Sequence, residues 1–209
     1  MSDLDNTSDT WPPADCPALA WPALLDPQAR LAWYQAVIKA YAALWEGHVS
    51  APTLTPVAEG AIQALEQQLG CALPAPLRQY HLQLGALSLA ETLCSVQHGP
   101  VCIQPLLAAY PGITDIYEDN LDLPLVEALV AFGDYLGNGN MFCFHRQDGA
   151  VYYFDHDTEP ALTRFFDSTQ DYLDALMLRC LAEVHDDDDT GEALLGARYG
   201  ESLVRKWLY

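Results

Sequence analysis

Apolar residues recur at helical spacing in four stretches of the chain, and each stretch has a recognisable beginning or end. The first predicted helix begins at Asp26 as N-cap, with Pro27 in the first helical position, and it ends at Gly47. Its apolar stripe comprises Leu31, Tyr34, Ile38, Tyr41 and Trp45. Before it, residues 1–25 are predicted to form an irregular arm whose Trp11 and Trp21 dock onto the rest of the protein.

Two shorter helices are predicted next. Thr55 and Pro56 open one that ends at Gly70, and the segment LPAPLRQYHLQLG forms another that ends at Gly85. His81 lies beside the apolar stripe of the latter helix. Because it has no second histidine or carboxylate at a ligand spacing, we interpret it as a boundary residue rather than a metal ligand.

From residue 87 onward the pattern is typical of short strands and loops. TLCSV and VCIQPL are predicted strands, and YPGITDIYEDNLDLP is predicted as a long acidic loop. LVEALVAFGDY is compatible with a strand or with a short helix. NMFCFHR and AVYYFDHD, joined by an Asp-Gly turn, predict a β-hairpin. Since both faces of this hairpin are largely apolar, we expect it in the centre of its sheet.

The segment TRFFDSTQDYLDALMLRCLAEV predicts the clearest helix, with Ser168 as N-cap and Asp171 three residues later. Three regions follow from these patterns. Residues 1–54 are predicted as an arm and an extra helix packed on the core, residues 55–185 as an α+β domain, and residues 186–209 as an acidic linker and a C-terminal tail.

Composition adds a strong charge asymmetry to this picture. Apolar residues make up 51% of the 209 residues, which is typical of a globular protein, while the formal net charge is −20. Such acidity disfavours nucleic acid and anionic membranes and favours a basic protein partner, although acidity can also serve solubility alone. The chain has no apolar stretch of membrane-spanning length, no N-terminal secretory signal and six scattered cysteines, so we expect a cytoplasmic protein.

The glycine-rich and acidic motifs do not match known catalytic or phosphate-binding patterns. Gly137 to Asn140 supply only G-x-G, followed by a strand and without a lysine, so a turn is the sufficient explanation. Cys143 and His145 are two positions apart on one predicted strand, and no nucleophile signature surrounds them. We therefore predict no catalytic residue and no cofactor.

Two acidic segments partly resemble the calcium loop of EF-hands. Counted from Asp155, the sixth and twelfth positions are Pro160 and Phe166, where that loop needs glycine and glutamate. Counted from Asp186, the DDDDTG segment has Gly191 in the sixth position, but Ala197 replaces the closing glutamate. We predict no metal site, and whether DDDDTG binds calcium weakly stays open.

Three motifs in order resemble the SUKH superfamily, which contains the yeast cell-wall glucan-synthesis regulator and many bacterial toxin immunity proteins. They are LG..LP..LR.Y, FGDYLGNGN and VYYFDHD, within a similar stretch that covers residues 55–184. The positions that match the family pattern are Gly70, Leu73, Pro74, Gly133, Asp134, Gly137, Asn138, Asn140, Asp155 and His156. The first fifty residues have no counterpart in the minimal domain, and Ala86 stands where many members have a second glycine.

The resemblance implies an α+β fold, with a mainly antiparallel sheet, helices packed against it and no catalytic residues; the N-terminal helix is an addition. For bacterial members it implies stoichiometric binding of a cognate toxin domain. Our first hypothesis is thus a cytoplasmic immunity protein for a basic toxin domain such as a nuclease. The alternatives are a regulatory or scaffolding protein and, least favoured, a metal-dependent hydrolase. The predicted partner-binding residues are Glu118, Asp119, Asp134, Tyr135, Asn138, Asn140, Asp155, His156, Asp157 and Glu159.

Overall fold

The computed structural model describes residues 11–23, 26–48, 54–85, 92–96, 102–116, 121–134 and 138–208. Within these ranges the helices are α1 (Pro27–Leu44), α2 (Glu59–Leu69), α3 (Ala75–Gln83), α4 (Leu106–Ala109), α5 (Ile113–Ile116), α6 (Leu123–Ala128), α7 (Thr169–His185), α8 (Asp188–Tyr199) and α9 (Glu201–Leu208). The strands are β1 (Thr92–Leu93), β2 (Gln104–Pro105), β3 (Leu129–Asp134), β4 (Met141–His145), β5 (Val151–Phe154) and β6 (Leu162–Phe166). None of the helices in these ranges is long and apolar enough to cross a membrane.

The strands form one sheet in the order β1-β3-β4-β5-β6, and β2 also pairs with β3. All of these pairings are antiparallel. The predicted hairpin is confirmed as β4 and β5, and it lies inside the sheet as expected. Its turn contains Gly149 at a φ of +73°, a conformation that glycine adopts without steric cost. An α+β fold with a mainly antiparallel sheet is confirmed, together with the additional N-terminal helix.

Helices cover both faces of this sheet, which explains why the hairpin is apolar on both sides. Cys143 and Phe154 belong to a buried cluster with residues of α4, α5 and α6, among them Leu106, Ile113 and Val126. On the opposite face, Tyr172 of α7 packs against Phe142 with ring centroids 4.6 Å apart, and against Phe132 at 5.2 Å. Alternate side chains of each strand therefore enter different cores.

The predicted caps of the two longest helices are confirmed. The Asp26 carboxylate accepts a hydrogen bond from the Ala29 amide at 2.8 Å at the start of α1. At the start of α7, the Ser168 hydroxyl accepts from the Asp171 amide at 3.2 Å and donates to the Asp171 carboxylate at 2.7 Å. Both caps satisfy amide groups that have no partner within the helix itself.

The start of α2 differs from the prediction, since the helix begins at Glu59 instead of Thr55. The preceding residues form a connection along α3, in which the Val57 amide donates to the His81 carbonyl at 2.9 Å. This connection also runs close to Gly85, which has a φ of +87°, and a Cβ at Gly85 would overlap the Thr55 backbone. Gly85 thus permits a close backbone approach as well as ending α3.

Several strand and loop predictions need correction. The predicted acidic loop contains α5, while residues 117–120 lie outside the described residues. The segment LVEALVAFGDY, which was compatible with a helix or a strand, contains one after the other: the end of α6 and then β3. TLCSV and VCIQPL each supply only a two-residue strand. The prediction missed β6, because its residues were assigned to the following helix.

The chain divides into two compact units, one of residues 1–50 and 177–209 and the other of residues 51–176. In the first unit, the indole N–H of Trp11 donates to the Val184 carbonyl at 2.8 Å, and that of Trp21 donates to the Leu194 carbonyl at 3.2 Å. Both tryptophans of the N-terminal arm are therefore docked, as predicted. The DDDDTG segment enters α8 at Asp188, after the N-cap Asp187, and most of the predicted linker and tail is helical, as α8 and α9. The three-region boundaries deduced from the sequence stay a prediction.

Candidate partner-binding site

Six of the ten residues predicted to bind a partner lie at one end of the β4–β5 hairpin. Antiparallel pairing places Met141, the first residue of β4, opposite Phe154, the last residue of β5. The residues before β4 and after β5 are therefore neighbours at the same end of the sheet. The Asp-Gly turn lies at the other end.

Asn140 is the centre of a hydrogen-bond network at this sheet end. Its side-chain oxygen accepts from the His156 amide at 3.1 Å and from the His156 ring Nδ1 at 2.7 Å. Its side-chain nitrogen donates to the Tyr153 hydroxyl at 3.1 Å, and its amide donates to the Asn138 side chain at 2.9 Å. Only 7% of Asn140 is exposed, so these bonds satisfy a buried amide and fix the loop to β5.

The segment after β5 is a closed turn held by Asp155. The Asp155 carboxylate accepts from the Asp157 amide at 3.0 Å, and the Asp155 amide donates to the Ala161 carbonyl at 2.9 Å. Asp155 is 8% exposed. A lysine at this position would bury an unpaired charge, so a charge-reversal test of this surface cannot include Asp155.

His156 and Asp157 present the accessible part of this turn. The His156 side chain is 26% exposed, and its Nε2 lies 3.5 Å from the carboxylate of Asp157, whose side chain is 79% exposed. The ring of Tyr110 packs beside His156, with centroids 6.0 Å apart, and beside Phe154 at 5.0 Å. The histidine ring is therefore held in a fixed orientation while one edge faces the surface.

The structure brings together six of the ten predicted residues. Asn138, Asp157 and Glu159 are exposed and His156 is partly buried, so these four are accessible, while Asn140 and Asp155 are buried and position the others. The backbone of Asp134 lies opposite Met141 at the same sheet end, and its side chain lies outside the described part of the structure. Glu118, Asp119 and Tyr135 also lie outside the described residues.

Tyr110, Tyr153 and Asp122 were not among the residues predicted from the sequence. Tyr153 follows the alternation of β5, but its hydroxyl partner across the hairpin depends on the strand register, which no local pattern specifies. Tyr110 reaches His156 from a distant segment of the chain. Asp122 could have been found, because Asp-Leu-Pro before an apolar run is typical of a helix start, and its carboxylate accepts from the Leu125 amide at 3.1 Å.

His81 requires a correction as well. It is fully buried, not at a boundary, and neither ring nitrogen has a hydrogen-bond partner within the described residues. Burial lowers the pKa of His81 from 6.5 to about 4, so the ring is neutral at pH 7. This histidine is a buried residue of α3 and is not part of the polar sheet end.

The candidate nucleophile and metal motifs have other structural roles. Cys143 is fully buried, and burial raises the pKa of its thiol well above the ordinary value, which disfavours the reactive thiolate. Within the described ranges, no three His, Cys, Asp or Glu side chains form a group that could hold a metal ion. The Asp155 carboxylate supports a turn, and Asp187 caps α8.

The acidic excess is concentrated in the unit of residues 51–176, which contains sixteen acidic and three basic side chains. All three cations have internal partners. Arg78 pairs with Glu59 and Glu66, Arg164 pairs with Asp167 at 3.0 Å, and the Arg146 guanidinium donates to the Leu69 carbonyl. The accessible carboxylates of the sheet end consequently stand in a strongly negative environment.

These residues define an α+β domain with a helix-covered antiparallel sheet and an acidic, accessible sheet end. The chain belongs to the SMI1/KNR4 family (SUKH-1), which residues 56–175 match, more than half of its length. This match confirms the resemblance noted from the three sequence motifs. No curated protein was found to match the chain.

Proposed function

We propose that this chain is a non-catalytic immunity protein that neutralises a basic toxin domain by forming a stoichiometric complex in the cytoplasm. The partner surface in this proposal is the acidic sheet end, with Asn138, His156, Asp157 and Glu159 as contacts. Asn140 and Asp155 hold those contacts in place. The proposal combines the SUKH family membership with the charge distribution of residues 51–176.

The observation that carries the proposal is the accessible acidic turn in a unit whose cations are already paired. Carboxylates held on a rigid hairpin end resemble the phosphates that a nucleic-acid-cleaving site binds. They would therefore compete for its basic cleft. A surface with this charge also speeds the encounter with a basic protein. Neutralisation by binding requires no catalytic group, which agrees with the buried state of Cys143.

The cysteines favour a reducing compartment. None of the six forms a disulfide bond, and Cys94, Cys143 and Cys180 are buried. Since proteins of oxidising compartments commonly join their cysteines in disulfides, six cysteines in the thiol form support the expected cytoplasmic location.

The decisive experiment has two stages. First, the tagged protein captures its partner from the native host. The captured protein is then expressed under inducible control in a bacterium, with or without this chain. We expect the partner to be basic and toxic, its toxicity to be relieved by co-expression, and the purified complex to contain the two chains in equal amounts. A partner that is harmless, or one whose toxicity persists during co-expression, would instead favour a regulatory or scaffolding protein.

A charge-reversal pair tests whether the acidic turn is the interface. Asp157→Lys with Glu159→Lys changes two exposed carboxylates of the sheet end, and Glu46→Lys with Asp189→Lys makes the same change of net charge in the other unit. We expect the first variant to bind the partner at least about tenfold more weakly, with unchanged thermal stability. Equal binding of both variants would place the interface elsewhere.

Salt dependence tests the role of charge in association. We expect added salt to slow association much more than it speeds dissociation, because screening acts on long-range attraction. Stopped-flow fluorescence with the captured partner measures both rates. An association rate that does not change with salt would refute electrostatic steering.

A further inference from the structure

A pocket of about 420 Å³ adjoins the acidic turn. Its apolar lining comes from α6 and the residues just before it, and from the end of the β5–β6 connection and the first residue of β6. The lining residues are Leu121, Leu125, Pro160, Ala161 and Leu162, and two acidic residues, Asp122 and Glu159, complete the wall. The bond between the Asp155 amide and the Ala161 carbonyl closes the turn directly beside it. The pocket is thus continuous with the proposed partner surface through Glu159.

The two carboxylates of this pocket are accessible. Asp122 is exposed, and its position is fixed because one oxygen caps α6 by accepting from the Leu125 amide. Glu159 is exposed as well. In the described ranges, neither has a cationic side chain as an ion-pair partner. Two negative groups therefore border an apolar lining without internal neutralisation.

This combination selects one type of side chain. An acidic group would be repelled, and a purely apolar group would remove water from the carboxylates without replacing its hydrogen bonds. A long aliphatic stem that ends in a cation satisfies both parts of the pocket. Arginine fits better than lysine, because its planar guanidinium presents several donors and so can serve two carboxylates at once.

We propose that this pocket receives an arginine side chain of the partner protein. The stem lies against Leu121, Leu125 and Leu162, and the guanidinium pairs with Asp122 and Glu159. This inference rests on the proposed function in that it takes the partner to be basic. It makes the pocket the anchor of the complex, since arginine in a desolvated pocket is a frequent source of binding energy at interfaces.

The test is a titration of the isotope-labelled full chain by NMR, with N-acetyl-arginine amide as the probe. N-acetyl-norleucine amide has a similar stem without the charge, and N-acetyl-glutamate amide carries the opposite charge. We expect the arginine probe to give saturable shifts at Leu121, Leu125 and Leu162, with an affinity at least about fivefold higher than that of norleucine. A fivefold ratio corresponds to about 1 kcal/mol. The glutamate probe should give no shifts there.

Matched variants distinguish binding of the arginine probe in the pocket from a general attraction to the acidic surface. Asp122→Asn retains a capping side chain, and combined with Glu159→Gln it should weaken arginine binding at least about fivefold. The control variant, Asp115→Asn with Glu127→Gln, removes two exposed carboxylates that do not line the pocket and should bind like the wild type. Three results would each overturn the inference. The norleucine probe could bind as tightly as the arginine probe, the pocket variant could bind the arginine probe as tightly as the wild type, or the shifts could spread over all acidic segments.

The same variants distinguish this inference from the proposed function. If a toxin is neutralised but the Asp122→Asn, Glu159→Gln variant binds it as tightly as the wild type, the arginine pocket is refuted and the immunity function stands. If the arginine probe binds as expected but the captured partner is not toxic, the pocket stands and the immunity function is refuted.

Discussion

Protonation of His81 should destabilise the folded protein as the pH falls from 6.5 to about 4. The ring is fully buried without a hydrogen-bond partner in the described part of the chain, and burial lowers its pKa from 6.5 to about 4. In this pH window the unfolded chain binds a proton at this site and the folded chain does not. The free energy of unfolding therefore rises with pH across this window. Above pH 6.5 the histidine is neutral in both states, and its burial no longer lowers the stability through protonation.

The expected size follows from the separation of the two pKa values. A difference of one in pKa corresponds to about 1.4 kcal/mol at room temperature. The decrease in the pKa of His81 from 6.5 to about 4 therefore represents about 3 kcal/mol of unfolding free energy. Several carboxylates, among them Glu59 and Asp148, also have lowered pKa values and lose their contribution at low pH. The effect of His81 must therefore be measured as a difference between variants.

The assay is urea unfolding, followed by tryptophan fluorescence and circular dichroism, between pH 4 and 7.5. His81→Phe keeps an aromatic ring beside Tyr80, whose ring centroid lies 5.9 Å away, but it cannot titrate. We expect the variant to gain about 3 kcal/mol relative to the wild type between pH 7.5 and pH 4. His48→Gln is the control, since His48 is exposed.

Parallel pH profiles of the wild type and His81→Phe would refute this reasoning, because they would mean that His81 binds a proton equally well in the folded and unfolded states. His81→Leu provides a second, smaller apolar replacement in case the phenylalanine ring is not accommodated. The two apolar variants should show the same pH dependence even if their stabilities at pH 7.5 differ.

Three further substitutions test individual contacts by the same unfolding assay. Asn140→Ala should cost about 2–3 kcal/mol, because it removes the hydrogen bonds that the buried Asn140 side chain makes with the Tyr153 hydroxyl and with His156; a loss below about 0.5 kcal/mol would contradict the network. Ser168→Ala should cost about 1 kcal/mol through loss of the α7 cap, and Ser168→Asp should restore it. Gly191→Ala should cost about 1–3 kcal/mol, since the added Cβ would overlap Ala182. Adding Ala182→Gly to this variant should relieve the overlap and recover part of the stability. If the costs of the two substitutions simply add in the double variant, the close contact between α7 and α8 is refuted.

Local signals were enough to predict the helix starts at Asp26 and Ser168 and the turn at Gly149. Each depends on residues within a few positions of one another, such as a cap that bonds to the amide three residues later. The apolar alternation of β4 and β5 likewise predicted a hairpin with two covered faces. These predictions succeeded because their physical causes are contained in short segments.

Predictions from the sequence were wrong where contacts with a distant segment override the local pattern. Residues 162–166 look like the approach to a helix but pair with β5, and residues 55–58 are held beside α3 instead of opening α2. His81 appears beside an apolar stripe, yet its neighbours in the fold enclose it completely. In each case the deciding contact joins residues that the chain brings together only after folding.

The amino-acid sequence by itself determined the helix caps, the central hairpin, the strong acidity and the motifs by which the family is recognised. Only the tertiary structure decided which polar residues of FGDYLGNGN and VYYFDHD are accessible. It buried Asn140 and Asp155 as supports and left Asp157 exposed, as it did Glu159 two residues later, and it placed Asp122 and Glu159 in the wall of one apolar pocket. Burial and hydrogen-bond partners depend on strand register and on contacts between remote segments, whereas caps, turns and charge depend on residue type and short spacing.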